Sequence, residues 1–304
     1  MDVSVPVGRR RLPNPVGVAS GTFGYGSEFQ ELVDLSRIGA VYTKAVTLDP
    51  RPGNDVPRLI ETPAGLLNSI GLANVGVDVF IREKAPFFTD LPCAVIANIA
   101  GSTDAEYVEV VKRLERECDL WGYEINLSCP NVKEGCLAFG TDPSLIGSLV
   151  GQLRRITERP LIVKLTPNVT DIGSLARAAE EAGADAVSCI NTLLGMVVDV
   201  AAKRPVLPGA TGGLSGPAIR PVGVALTYRV SRAVSIPVVG VGGICDGTDA
   251  LQYILAGASA VQVGTANFVD PRTPEKVLEA IERFLENEGL ATVADAHRWM
   301  RSWP

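Results

Sequence analysis

The sequence predicts a single α/β domain over residues 1–304, folded as a (β/α)8 barrel. Three observations predict it. Eight short, nearly continuous apolar runs recur along the chain, as parallel strands covered by helices require. Between most of them, apolar residues fall at three- and four-residue spacing, the period of a helix with one buried face. Polar and reactive residues collect where the runs end, and barrel sites are built at the C-terminal ends of strands. A doubly wound open sheet is the competitor, but the strand count fits closure.

The runs are 15–21 (PVGVASG), 40–46 (AVYTKAV), 93–100 (CAVIANIA), 122–129 (GYEINLSC), 161–167 (LIVKLTP), 186–192 (AVSCINT), 237–244 (PVVGVGGI) and 260–266 (AVQVGTA). In the fourth, Ile125 and Leu127 alternate with Glu124, Asn126 and Ser128, and the strand stops at Cys129-Pro130 because Pro has no N–H for the ladder. Helices are expected over 105–117, 143–156, 171–182, 223–234, 248–256 and 274–289. Asp104, Asp142 and Thr170 are their expected N-caps, and Gly183 and Gly257 their stops. Residues 3–13 are expected to form a hairpin closing the barrel bottom. Insertions follow strands two (47–76), four (the loop to Gly140) and six (195–220). The first is too long for a plain connection, and so is expected to belong to the site. The tail to Pro304 is expected to be a surface strap.

Composition narrows the function. The net charge of -6 and the lack of any basic run argue against nucleic acid or an anionic membrane as partner. No apolar run spans a bilayer, and the start MDVSVPVGRRRLPNP has no apolar leader, so the expected location is cytoplasmic. Six cysteines, none in CxxC spacing, read as reduced thiols without a metal or iron–sulfur cluster. The single histidine, His297, lies near the end of the chain, which argues against a histidine base.

Four features carry candidate chemistry. Cys129 sits just past a strand end, before a polar loop with Gly135 and Gly140 as hinges and Phe139 as a cover. Gly242-Gly243, Gly264-Thr265 and the glycines of 213–216 offer backbone N–H groups to a phosphate, at the two strands where such barrels usually bind one. A flavin mononucleotide and a sugar phosphate fit that cradle equally well. Lys164, inside a strand, needs a partner because an isolated buried ammonium is costly. Glu124 on the neighbouring strand is one candidate; the electron-accepting edge of a cofactor is another. Asn68, Asn98, Asn126 and Asn191 could converge on a small planar ligand, since an amide both donates and accepts.

The motifs NLSCPN at 126–131, NSIGL at 68–72, SGTFGYG at 20–26, KLTPN at 164–168, INT at 190–192, GGLSGPA at 212–218 and VGGI at 241–244 resemble class 1 dihydroorotate dehydrogenases, over nearly the whole chain and in the family's order. The form PNVKEGCLAFGTDP is most similar to the catalytic subunit of the NAD-dependent class 1B type. The resemblance implies a TIM barrel that binds FMN. It also implies a homodimer joined to an electron-transfer subunit, carrying FAD and a [2Fe–2S] cluster, as a heterotetramer. Cys129 would be the base that takes the C5 proton of dihydroorotate. Lys44, Asn68, Ser69, Ile70, Gly71, Leu72, Asn126, Asn191 and Thr192 would hold the substrate. Ser20, Lys44, Ala45, Asn98, Asn126, Lys164, Ile190, Gly216, Gly242, Gly243, Gly264 and Thr265 would contact FMN. Lys44 or Lys133 would lower the thiol's pKa, and residues 132–140 would close over the site. Cys136 has no role implied by the family. The readings that compete are a dihydropyrimidine dehydrogenase-like flavoprotein subunit, a fumarate-dependent class 1A enzyme and a flavin-free sugar-phosphate barrel.

Overall fold

The computed structural model describes residues 1–89, 91–127, 139–297, 299 and 300. Its barrel strands are β1 (Val16–Val18), β2 (Ala40–Tyr42), β3 (Ala94–Ile99), β4 (Gly122–Asn126), β5 (Leu161–Leu165), β6 (Ala186–Cys189), β7 (Val238–Val241) and β8 (Ala260–Val263). Each pairs in parallel with the next, and β8 pairs back onto β1, so the sheet closes and the open-sheet alternative is excluded. The strands start within one residue of the apolar runs and stop before the runs do.

The helices are α1 (Asp104–Glu117), α2 (Pro143–Arg154), α3 (Ile172–Glu181), α4 (Arg220–Ser231), α5 (Gly247–Leu255) and α6 (Thr273–Asn287). Asp142 caps α2 as expected. Two caps shift by one residue. Thr103, not Asp104, accepts from the Glu106 N–H, and Asp171, not Thr170, caps α3. In each case the capping residue is the one with extended backbone, and its neighbour has another place in the chain. Between β1 and β2 only short 3-10 turns form, at Ser27–Phe29 and Leu35–Arg37. Gly24 and Gly26 adopt positive φ there (54° and 98°), which breaks any longer helix.

The bottom is plugged as predicted. Val5–Val7 pairs antiparallel with Arg10–Leu12. Val5, Val7 and Leu12 pack against Tyr42, Ile96, Ile162 and Val239 inside the barrel. Arg10 donates to the carbonyls of Leu120 and Trp121 at 3.0 and 2.9 Å, tying the hairpin to the wall.

The first and last insertions are not independent loops. Leu59–Thr62, Gly65–Asn68, Gly212–Ser215 and Leu193–Gly195 form one four-stranded antiparallel sheet, with the last two from the far side of the chain. The tail also departs from a surface strap. Val293–Ala296 is a short helix with a capping box at Thr292 and Asp295, and Val293 and Ala296 are buried. Among the described residues, no helix is long and apolar enough to cross a membrane.

Leu12 is 2% exposed, and its truncation leaves a hole under the barrel floor. Leu12→Ala is expected to cost about 2–5 kcal/mol, seen as a lower midpoint of denaturant unfolding. An unchanged midpoint would show that the hairpin is not part of the core.

Candidate active site

Above the apolar floor lies a polar layer. Glu124 on β4 is fully buried, and its carboxylate is met from four other strands. Asn98 Nδ2 donates to Oε2 at 2.7 Å. Ser188 Oγ and Gln262 Nε2 donate to Oε1 at 2.7 and 2.9 Å. Lys164 Nζ stands 3.6 Å from Oε2. The charge of Glu124 also reaches Tyr42, whose hydroxyl is pushed up in pKa first by burial and then by that carboxylate. Asn98, expected to contact a cofactor, thus spends its amide nitrogen on Glu124. Its Oδ1 is buried and without a partner among the described residues.

One step nearer the mouth, Lys164 is in register with Asn126 on β4 and Ser188 on β6. Asn191 Nδ2 donates to Asn126 Oδ1 at 3.3 Å, and Thr192 N donates to Asn191 Oδ1 at 2.8 Å. Gly213 has room for no side chain, since a Cβ would come 2.2 Å from Thr192 Oγ1. Asn68 Nδ2 donates to the carbonyl of that same glycine at 3.2 Å. The fold therefore gathers Asn68, Asn126, Asn191 and Thr192 into one wall, each half-buried. Lys44, also half-buried, follows β2 and has no ion pair among the described residues.

The 69–72 loop is held from behind. Asn54 Nδ2 donates to Ser69 O and Oγ at 3.0 and 2.8 Å, and Asn74 Nδ2 donates to Leu72 O at 2.7 Å. Gly71 and Leu72 both have positive φ, 72° and 55°. The remaining glycines form a cradle. A Cβ on Gly243 would lie 2.6 Å from Gly216 O, and one on Gly216 would approach Gly65 Cα and Thr265 Cγ2. Gly216 is buried, and among the described residues its N–H and those of Gly242 and Gly243 donate to no protein acceptor. Such a group of N–H donors, just before the turn leading into α4, suits an anion.

Three supporting residues escaped the sequence reading. Asn168 donates to Thr192 O at 3.1 Å and accepts from Leu194 N at 2.9 Å, fixing the exit of β6. Tyr253 on α5 donates to Gly242 O at 2.6 Å and so holds the cradle from outside. Tyr107 on α1 donates to Asn126 O at 2.7 Å. Asn168 was visible as the end of KLTPN; the tyrosines look like ordinary core residues of amphipathic helices.

Cys129, Ser128, Lys133, Gly135 and Cys136 lie outside the described residues, as does the 132–138 part of the expected lid. Its far end is described: Phe139–Thr141 form a 3-10 turn, and Gly140 packs on the carbonyl of Leu127, where a Cβ would clash at 2.8 Å from that oxygen.

A family model for dihydroorotate dehydrogenase matches residues 3–285. The chain belongs to the dihydroorotate dehydrogenase family. Its relatives include a protein of Pelobacter propionicus named dihydroorotate dehydrogenase B (NAD(+)), catalytic subunit, 53% identical over 97% of each chain. Proteins of the same name from Trichlorobacter lovleyi and Geotalea daltonii are 53% and 51% identical, over 96% and 97% of this chain and 96% of each relative. A crystal structure of DHODH from Eimeria tenella in complex with ferulenol has the same fold. It superposes with a TM-score of 0.78 at 24% identity, covering 97% of this chain and 87% of that one.

Burial pushes the thiols of Cys93 and Cys118 up to about 11 and that of Cys189 up to about 12. Cys245 is exposed, yet partial burial and then Asp249 also raise it. A raised pKa keeps each of these groups a neutral thiol at pH 8. Alkylation of the native protein at that pH is expected to spare Cys93, Cys118 and Cys189, as read by peptide mass mapping. Rapid labelling of any of the three would overturn their placement.

Proposed function

We propose that this chain oxidises (S)-dihydroorotate to orotate in pyrimidine synthesis, with FMN bound at the barrel mouth and the electrons leaving through a partner subunit to NAD+. The observation that carries this reading is the meeting, at one end of one barrel, of the glycine cradle, the Lys164 ammonium and the amide wall. The family match and the names of the relatives agree with it.

The residues present fit FMN. The N–H groups of Gly216, Gly242 and Gly243, unbonded among the described residues, suit its phosphate, with Gly264 and Thr265 as further contacts. Lys164 and the free Oδ1 of Asn98 suit the polar edge of its ring, with Ser20, Ala45 and Ile190 as further contacts. When bound, FMN supplies the acceptor for the hydride that leaves C6 of the substrate.

The chain's own residues do the rest. Lys44 offers a cation to the substrate carboxylate, while Asn68, Asn126, Asn191 and Thr192 meet its amide and carbonyl groups. The backbone of residues 69–72 closes the remaining side. Cys129 takes the C5 proton as thiolate; a free thiol titrates near about 8.5, so a neighbouring lysine, Lys44 or Lys133, is needed to lower it. Segment 132–140 covers the reaction and excludes water. The proposed assembly is a homodimer joined to an FAD and [2Fe–2S] subunit, as a cytoplasmic heterotetramer.

The test is an anaerobic titration of the purified chain with (S)-dihydroorotate, followed by visible absorbance. A flavin spectrum that bleaches is expected; bound flavin that does not respond would sink the substrate assignment. Cys129→Ser is expected to keep the flavin but slow its reduction by about 100-fold or more at neutral pH, because general-base catalysis contributes about that much. Near-normal reduction would remove Cys129 from the role.

A further inference from the structure

The barrel interior holds a carboxyl–lysine pair with an unusual division of contacts. Glu124 makes its short hydrogen bonds, 2.7, 2.7 and 2.9 Å, to neutral donors: Asn98, Ser188 and Gln262. Its cationic neighbour among the described residues, Lys164, is held at 3.6 Å, beyond hydrogen-bond distance. Lys164 is 5% exposed, and among the described residues its ammonium donates no hydrogen bond. A buried ammonium with three unused donors is costly unless something accepts from it. The strand register puts Lys164 two residues nearer the mouth than Glu124, since Glu124 pairs with Ile162 and Asn126 with Lys164. The ammonium therefore stands between the carboxylate below and the mouth above.

We infer that Glu124 is a positioning residue that holds the Lys164 ammonium without saturating it, and that Asn98, Ser188 and Gln262 set how hard it pulls. The inference rests on the reading of the mouth as an FMN site. The carboxylate supplies the counter-charge for a lysine inside a closed barrel. The three neutral donors occupy most of its lone pairs, about four in all, so it does not draw the ammonium down into a tight pair. The lysine's protons stay available to the cofactor edge that gains negative charge on reduction. In this arrangement the two charges oppose each other at the flavin, and the reduction potential follows their balance.

The experiment measures the midpoint potential of the bound flavin in the wild-type chain, Glu124→Gln, Lys164→Met and Ser188→Ala. Removing the carboxylate charge leaves the ammonium unopposed, so Glu124→Gln is expected to favour reduced over oxidised flavin by about tenfold, an upward shift of about 30 mV for a two-electron couple. Lys164→Met is expected to shift it downward. Ser188→Ala frees a lone pair on the carboxylate, which then pulls harder on Lys164, and the potential is expected to fall. An unchanged or lower potential in Glu124→Gln, with only thermal stability reduced, would make Glu124 a structural residue and overturn the inference. Should Glu124→Gln not fold, Ser188→Ala decides, because it removes a single buried hydroxyl. A potential equal to wild type in that variant overturns the inference. The two readings fail separately. A wild-type chain that takes up no FMN refutes the cofactor reading, whereas flavin that binds with a potential indifferent to Glu124 and Ser188 refutes only the positioning role.

Discussion

Glu124 is a charge without access to water, and the barrel is arranged around the need to satisfy it. Burying an uncompensated carboxylate costs several kcal/mol, so its partners are as necessary as the charge itself. They come from β3, β5, β6 and β8, on both sides of β4 and across the interior. A slip of one residue in any of these strands would turn the donor to the outside, because side chains alternate faces. The carboxylate therefore locks the register of the strands whose ends build the mouth. Below it, Val5, Val7 and Leu12 fill the barrel with apolar surface.

The mouth is precise because its parts are supported from behind. The amides of the wall bond to one another, and Asn168 and Tyr107 fix the backbone under them. The cradle depends on the absence of side chains at Gly216 and Gly243, where the backbones of two loops touch. Tyr253 explains a further pair of glycines. A Cβ at Gly223 would strike its hydroxyl at 2.0 Å and one at Gly240 its ring at 2.5 Å. In the sequence one opens an expected helix and the other lies inside an apolar strand run, and in the fold both are space for a tyrosine.

The eight strands were legible because each is a short apolar run ending in a polar residue, a pattern that follows directly from burial on both faces. Most helices were legible from apolar residues at three- and four-residue spacing, the mark of one buried face. The candidate residues were found by where the runs end and by resemblance, and the structure joins Asn68, Asn126, Asn191 and Thr192 in one wall. What stayed hidden was direction and partnership. Nothing in the letters says that Asn98 turns its nitrogen down to Glu124, or that Ser188 and Gln262 complete the carboxylate's shell. Each is one polar letter inside an apolar strand. The shared sheet of the two insertions was hidden too. Its pairing of Asn68 with Gly213 joins distant, glycine-rich segments with no alternation strong enough to announce a strand.

That shared sheet has a consequence for how such a chain can change over generations. Gly65–Asn68 lies between Leu59–Thr62 and Gly212–Ser215, so the segment after β2 and the segment after β6 are inherited as one object. A shortened first insertion would strip the second of its neighbour and leave a bare strand edge. A hybrid gene joined anywhere between the two would mix unmatched halves of the sheet, even with every barrel strand intact.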